Sequence, residues 1–211
     1  MPETITPIEA RILGSLVEKQ LTTPEYYPLT LNALVNACNQ KNNREPTMSL
    51  TETEVSASLE RLRDRNLVYV FYGSTSRVPK YKHMLPTYYD LEPAGVSVMA
   101  VLMLRGPQTL GELKERTGRM QEFSGLGEVQ STLDALINRE DPLVTRLERL
   151  PGQKDARFAQ LLTGPIDLEA LAAAHPTRAQ AAESTSDRIA KLEVEIEQLK
   201  SEFAEFRKQF E

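Results

Sequence analysis

Three basic side chains, Arg77, Lys80 and Lys82, fall nearly on one side of a segment rich in strand-forming residues. Cations gathered along one face of a strand are what a phosphate backbone would meet. The alternative is a solvated, charged hairpin, because exposed charges carry little energetic weight. Lys41 and Arg44, in a polar loop upstream, can join this patch, as can Ser56, Arg61 and Arg63 on the intervening helix. Nothing comparable points to catalysis. Cys38 falls on an apolar helical stripe, where a thiol is buried and inert. His83 and His175 lack ligand-spaced neighbours, so no zinc site is expected. No Walker-type loop is present, and Gly125-Leu126-Gly127 lacks the rest of a dinucleotide fingerprint. The expectation is a protein without cofactor and without enzymatic activity.

The totals narrow the setting. The 211 residues carry a net charge of −5, unevenly spread. Residues 1–85 hold 10 basic against 9 acidic side chains, 86–162 hold 9 against 11, and 163–211 hold 6 against 10. The N-terminal portion is therefore the least unfavourable for a polyanion and the tail the worst. A single cysteine rules out an internal disulfide framework. The start Met1-Pro2-Glu3 has no basic region leading into an apolar run. The most apolar stretch, Val96 to Leu104, is far shorter than the roughly 20 residues a bilayer requires. A cytoplasmic, non-membrane protein is expected.

The elements that position these residues can be read from caps and periodicity. Thr6-Pro7-Ile8-Glu9 places a hydroxyl at an N-cap, Pro at N1 and Glu at N3, opening a helix whose stripe is Ile8, Ile12, Leu13, Leu16 and Val17. A second helix starts at Thr30, with Leu31, Leu34, Val35 and Cys38 inward, and stops in the loop Asn39 to Pro46. That loop either contacts a partner or serves as a long turn shaped by Asn and Pro. Thr51 and Glu54 form a second capping box, opening a third helix that buries Val55, Leu59 and Leu62. Leu67 to Phe71, a Gly-Ser turn and Val78 to Lys82 then read as a hairpin.

The same order returns. Pro93, Val98, Met99, Leu102 and Met103 repeat Pro7, Ile12, Leu13, Leu16 and Val17 at an offset of 86. Thr109-Leu110 and Leu113 repeat Thr30-Leu31 and Leu34 at 79, and Glu128-Val129, Leu133 and Leu136 repeat the third helix at 74. Offsets that hold across an element and change only between elements are the mark of a duplicated fold. Three helices followed by a hairpin is the winged-helix order. The expected class is mainly α with small β-hairpins (α+β): winged-helix domains over 1–86 and 87–162, a linker with a short helix over 163–186, and a coiled-coil helix over 187–211. The first two-thirds, through Glu9-Ala10-Arg11, Tyr27-Pro28-Leu29, Ala37-Cys38-Asn39-Gln40-Lys41, Asn43-Arg44-Glu45-Pro46, Leu104-Arg105-Gly106 and Gly111-Glu112-Leu113, resembles the YceH family of bacterial tandem winged-helix proteins. That resemblance implies the fold and brings no catalytic or ligand residues with it.

Two functions fit. In the favoured one, a homodimer binds double-stranded DNA, as a transcriptional regulator would, through helix three and the basic wing of the first domain. In the other, the tandem is a protein–protein interaction module. The third helix of the second domain exposes Glu128 and Asp134, and its wing has Asp155 between Lys154 and Arg157, so the second domain suits DNA less. The tail carries a heptad seam of Ile189, Leu192, Ile196, Leu199, Phe203, Phe206 and Phe210, which predicts a parallel dimer with opposite charges at facing g and e positions. Burial of seven such side chains and the cost of ordering the helix nearly cancel, so pairing should depend on concentration. Sedimentation across a concentration range should show Ile196→Asp, or a chain ending at Glu183, as monomeric where the intact chain dimerises; persistence of the dimer in both would place the interface elsewhere.

Overall fold

The computed structural model describes residues 4–72, 78–149 and 154–166, together with Ile196 and Lys200. The chain divides into two compact units, one of Met1–Arg149 with Asp155–Ile166 and the other of Leu150–Lys154 with Asp167–Glu211. In the second unit Ile196 and Lys200 are helical and exposed, and the other six heptad residues lie outside the described residues, as does most of the expected linker. Both repeats therefore belong to the first unit. Its fold is α+β, mainly helical with two small antiparallel sheets.

The first repeat runs α1 (Pro7–Thr22), a 3₁₀ turn (Pro24–Tyr26), β1 (Leu29–Thr30), α2 (Leu31–Cys38), α3 (Glu52–Asp64), β2 (Val68–Phe71) and β3 (Lys80–His83). A short helix, α4 (Leu85–Tyr89), leads to the second. There follow α5 (Pro93–Arg105), β4 (Gln108–Thr109), α6 (Leu110–Thr117), α7 (Leu126–Ile137), β5 (Val144–Arg146) and β6 (Arg157–Gln160). The helices begin where their caps require. Thr6 and Thr51 each close a capping box, accepting from the N–H of Glu9 and Glu54 while those carboxylates accept from the cap residue. Thr30 and Thr109 cap α2 and α6 in the same way from their side chains.

The duplication extends to sheet register. In the first sheet, ordered β1-β3-β2, Thr30 faces Lys80 and Val68 faces His83. In the second, ordered β4-β6-β5, Thr109 faces Arg157 and Val144 faces Gln160. A slip of one residue would reverse which side chains meet the core, so matching registers mean matching cores.

The two repeats share one core along α1 and α5. Ile12, Leu13, Leu16 and Val17 of α1 are fully buried, and so is nearly all of α5 from Gly95 to Leu104. The apolar run in α5 that is too short for a membrane is instead a central helix, enclosed on every side. Gly14 allows the close crossing: a Cβ there would lie 2.9 Å from Leu104 Cγ. Backbone ties join the repeats, from Ile5 N–H to the Leu162 carbonyl and from Glu45 N–H to the Leu104 carbonyl, both at 2.8 Å. Among the described residues, no helix is long and apolar enough to cross a membrane.

His83 ends the first hairpin. It is buried, its backbone N–H donates to Tyr27 Oη at 2.8 Å, and its Nδ1 accepts the Leu85 N–H that opens α4 at 3.4 Å. Burial, reinforced by Lys82, pushes the imidazole down to about 4, so it is neutral in the folded chain at pH 5 to 7. The unfolded chain protonates near pH 6.5 and the folded chain does not, so stability falls as pH drops through that interval. Urea denaturation should show a loss of about 2 kcal/mol between pH 7 and pH 5. His83→Gln should remove most of this dependence, and an unchanged slope would assign it to other groups.

Candidate functional site

The basic residues read from the sequence separate into inward and outward groups. Arg44 turns inward, contrary to its expected place on a basic surface. Its side chain is fully buried and forms a two-pronged pair with Glu18, Nη2 to Oε2 at 2.6 Å and Nη1 to Oε1 at 3.2 Å. It also donates to the carbonyls of Ala37 and Asn43 and to Gln40 Oε1. A guanidinium so occupied has nothing left for phosphate. Burial alone would raise the Glu18 carboxyl, but Arg44 and Lys19 overcome it and hold the group below the usual carboxylate range.

Arg61 stays exposed at the surface but pairs with a buried carboxylate, Nε to Glu9 Oε1 at 2.7 Å. Burial raises the Glu9 carboxyl, but the Thr6 N–H and Arg61 outweigh it and hold the group below its usual value. Arg63 lies at the surface but donates twice to Asp64, at 3.0 and 3.2 Å. With its arginines paired, α3 presents Glu52, Glu54 and Glu60 outward. Ser56, half-buried, and Arg63 line a small groove between α3 and the hairpin that also holds Glu60, Tyr72 and Tyr81.

The hairpin carries two more of the basic residues read from the sequence. Arg77 lies outside the described residues. Lys80 and Lys82 share one face of β3, Lys82 exposed and Lys80 half-buried. Their cross-strand neighbours on that face are Phe71 and Tyr69, 46% and 58% exposed. Sequence reading passed over these two aromatics, although their alternation with Val68 and Val70 placed them on the outer face. β2 is an edge strand of the sheet. The equivalent face of the second hairpin carries Thr145, Leu147, Arg157 and Ala159, of which Leu147 and Ala159 are buried. Arg157 is engaged there by Glu112 Oε2 at 3.0 Å and the Pro107 carbonyl at 2.9 Å.

The loop Asn39 to Pro46 is built as an internal brace. Asn39 exchanges two hydrogen bonds with the backbone of Leu50, both at 2.8 Å, and the buried Arg11 donates to the carbonyls of Cys38 and Pro46. Lys41 is exposed on it, beside residues of the second repeat rather than the hairpin. Cys38 is buried, and burial pushes its thiol up to about 11, where it is neither nucleophile nor ligand at neutral pH. Among the described residues, no group of three His, Cys, Asp or Glu side chains is placed to hold a metal.

These assignments separate energetically. Arg44→Ala leaves the largely buried Glu18 with only Lys19 at 3.5 Å and the Ala37 carbonyl without its donor, and should cost about 3 kcal/mol in urea denaturation. Lys41→Ala and Lys82→Ala, both at the surface, should stay within about 0.5 kcal/mol of the parent. A small effect at Arg44 would contradict the brace.

Comparison with known proteins agrees with the extent of the duplicated unit. The family model described as "Protein of unknown function, DUF480" matches residues 5–153. Relatives described as UPF0502 proteins include one from Citrifermentans bemidjiense, 50% identical over 93% of this chain and 90% of that protein. Others come from Opitutus terrae, 52% identical over 78% and 72%, and from Vibrio vulnificus, 44% identical over 98% and 97%. The chain belongs to this family, the one its Glu9-Ala10-Arg11 and Asn43-Arg44-Glu45-Pro46 segments resemble.

Proposed function

We propose that the chain is a non-enzymatic tandem winged-helix protein whose first repeat docks a partner protein on the outer face of the β2–β3 hairpin. The observation that carries this reading is the exposed quartet Tyr69, Phe71, Lys80 and Lys82 on an edge-strand ribbon. Exposed aromatics serve as anchors in protein interfaces, because rigid rings bury much area at little entropic cost. The flanking lysines favour a segment with an apolar side chain beside Asp or Glu. The open edge of β2 offers an extended segment main-chain hydrogen bonds as well. The second repeat, with the corresponding face partly buried, supports the first without duplicating its surface.

Double-stranded DNA is the competing partner, and Lys80 and Lys82 are what speak for it. Against it, the N-terminal turn of α3, the part that would enter a major groove, carries Glu52 and Glu54, which repel phosphate. The α3 arginines are already paired with carboxylates of the chain itself.

Selection of a displayed random-peptide library on the full chain should enrich segments with an aromatic or aliphatic residue next to Asp or Glu. Phe71→Ser should then weaken the selected peptides by about 2 kcal/mol, roughly 30-fold, and Lys82→Glu should weaken the acidic ones with little change in thermal stability. A parallel selection on random duplex DNA should yield nothing that survives 200 mM salt. Duplex binding that is lost on Lys80→Ala and Lys82→Ala, without peptide enrichment, would replace this reading with the DNA one.

A further inference from the structure

A second feature lies apart from the hairpin. The ends of α1, α5 and α6 and the α2–α3 loop enclose a cleft of about 390 Å³, within the range of small-molecule sites. Five cations line it: Lys19, Lys41, Arg105, Arg116 and Arg119. The carboxylate among them, Glu18, is already engaged by Arg44 at 2.6 Å and Lys19 at 3.5 Å. In a chain of net charge −5, such a gathering runs against the overall balance.

Basic residues in the last turn of a helix ordinarily offset its dipole, and Lys19, Arg105 and Arg116 occupy such turns. That account covers neither Lys41 nor Arg119, which lie beyond the helices, nor the convergence of three helix ends. The duplication explains the convergence. Lys19 and Arg105 are 86 residues apart, and Gln40 and Arg119 are 79 apart, the offsets that relate the two repeats. The cleft is therefore lined by the same positions of one plan, once from each copy.

The arginines are held in place without being fully neutralised. Arg105 donates to Asn43 Oδ1 and Arg116 to Gln108 Oε1, both uncharged acceptors, and Arg116 also pairs with Glu112 at 3.4 Å, a carboxylate it shares with Arg157. Burial, together with Arg116 and Arg44, pushes the Arg105 guanidinium below its ordinary value, and Glu18 and Glu112 offset this only in part. Beside the cations lie the half-buried Met120 and the edges of Val101 and Leu104, which are otherwise packed in the core. Guanidinium groups match phosphoryl oxygens in planar pairs, which a lysine cannot do.

We infer that this cleft binds a small phosphorylated organic ligand, with Arg105, Arg116 and Arg119 on its phosphoryl groups and its uncharged body against Val101, Leu104 and Met120. Because both repeats supply the walls, the bound ligand braces one against the other, and it stabilises the folded chain in proportion to occupancy.

The test is calorimetric titration of the full chain with inorganic pyrophosphate and with adenosine 5′-diphosphate, at 50 and 300 mM NaCl. Both should bind at low salt, the nucleotide more tightly, and both should weaken at high salt and raise the melting temperature. Arg105→Gln should lower affinity for each by roughly tenfold or more, as expected for loss of a charge-assisted pair. Lys41→Gln with Arg119→Gln, both exposed, should do the same even if Arg105→Gln fails to fold. Phe71→Ser, on the hairpin, should leave the titration unchanged. The inference is overturned if neither anion binds at 50 mM NaCl, or if pyrophosphate binds and the nucleotide does not. It also fails if the cleft variants bind like the parent, or if a short duplex binds more tightly than either anion through the same arginines.

Discussion

The Arg44 guanidinium is buried with no exposed surface, and the fold around it is arranged to keep that cation satisfied. Its five N–H groups make six contacts, one of them shared, to Glu18, Ala37, Asn43 and Gln40. They tie α1, the end of α2 and the α2–α3 loop into one corner. An unpaired charge in such a place costs several kcal/mol, so the loop cannot leave without exposing or orphaning it. The next residue, Glu45, then donates its N–H to Leu104 at the end of α5. One buried cation thus fixes a loop, and the fixed loop seals the boundary between the repeats. Arg11, also buried, donates to carbonyls on both sides of the same loop and extends the brace.

This brace decides which charges are available for function. Arg44 and Arg61 are drawn toward Glu18 and Glu9, two carboxylates of α1 that sit partly or wholly inside. Arg44, which a surface reading would have assigned to a partner, is interior, and the exposed Arg61 is tied to a buried carboxylate. Outward on the hairpin of the first repeat is a lysine pair beside two aromatic rings, and beside it a helix with an acidic face. In the proposed docking role, such a surface would discriminate among partners by its aromatic and edge-strand character more than by net charge.

Local signals in the sequence matched the structure closely. The threonine caps, the apolar stripes of α1 and α3, the buried thiol of Cys38 and the offsets of 86, 79 and 74 all report short-range physics or its repetition, and each is found where its residues indicated. The two-residue strands β1 and β4 escaped because two residues carry no periodicity; only their partners β3 and β6 define them. The direction of Arg44 and Arg61 escaped for a different reason. Their carboxylate partners lie 26 and 52 residues away, and no spacing rule links an arginine to a distant helix. The outer position of Tyr69 and Phe71 was legible from strand alternation, yet a run of five apolar and aromatic residues reads more readily as a buried strand.

Duplication supplies the last constraint, because two copies of one plan need not keep one surface. The registers of both sheets are the same, so the backbone has been held while the outer hairpin faces have diverged. Lys82 corresponds to the buried Ala159 and Phe71 to the buried Leu147, and Lys80 corresponds to Arg157, which answers Glu112 within its own repeat. Side chains exposed in the first copy have become interior or internally paired in the second. The ends of the first helices behave differently: Lys19 and Arg105 keep their charge in both copies and face one cleft. Divergence at the hairpins and agreement at the cleft are what a protein with one docking face and one shared pocket requires, since a partner surface can be served by a single repeat whereas a pocket on the seam needs both.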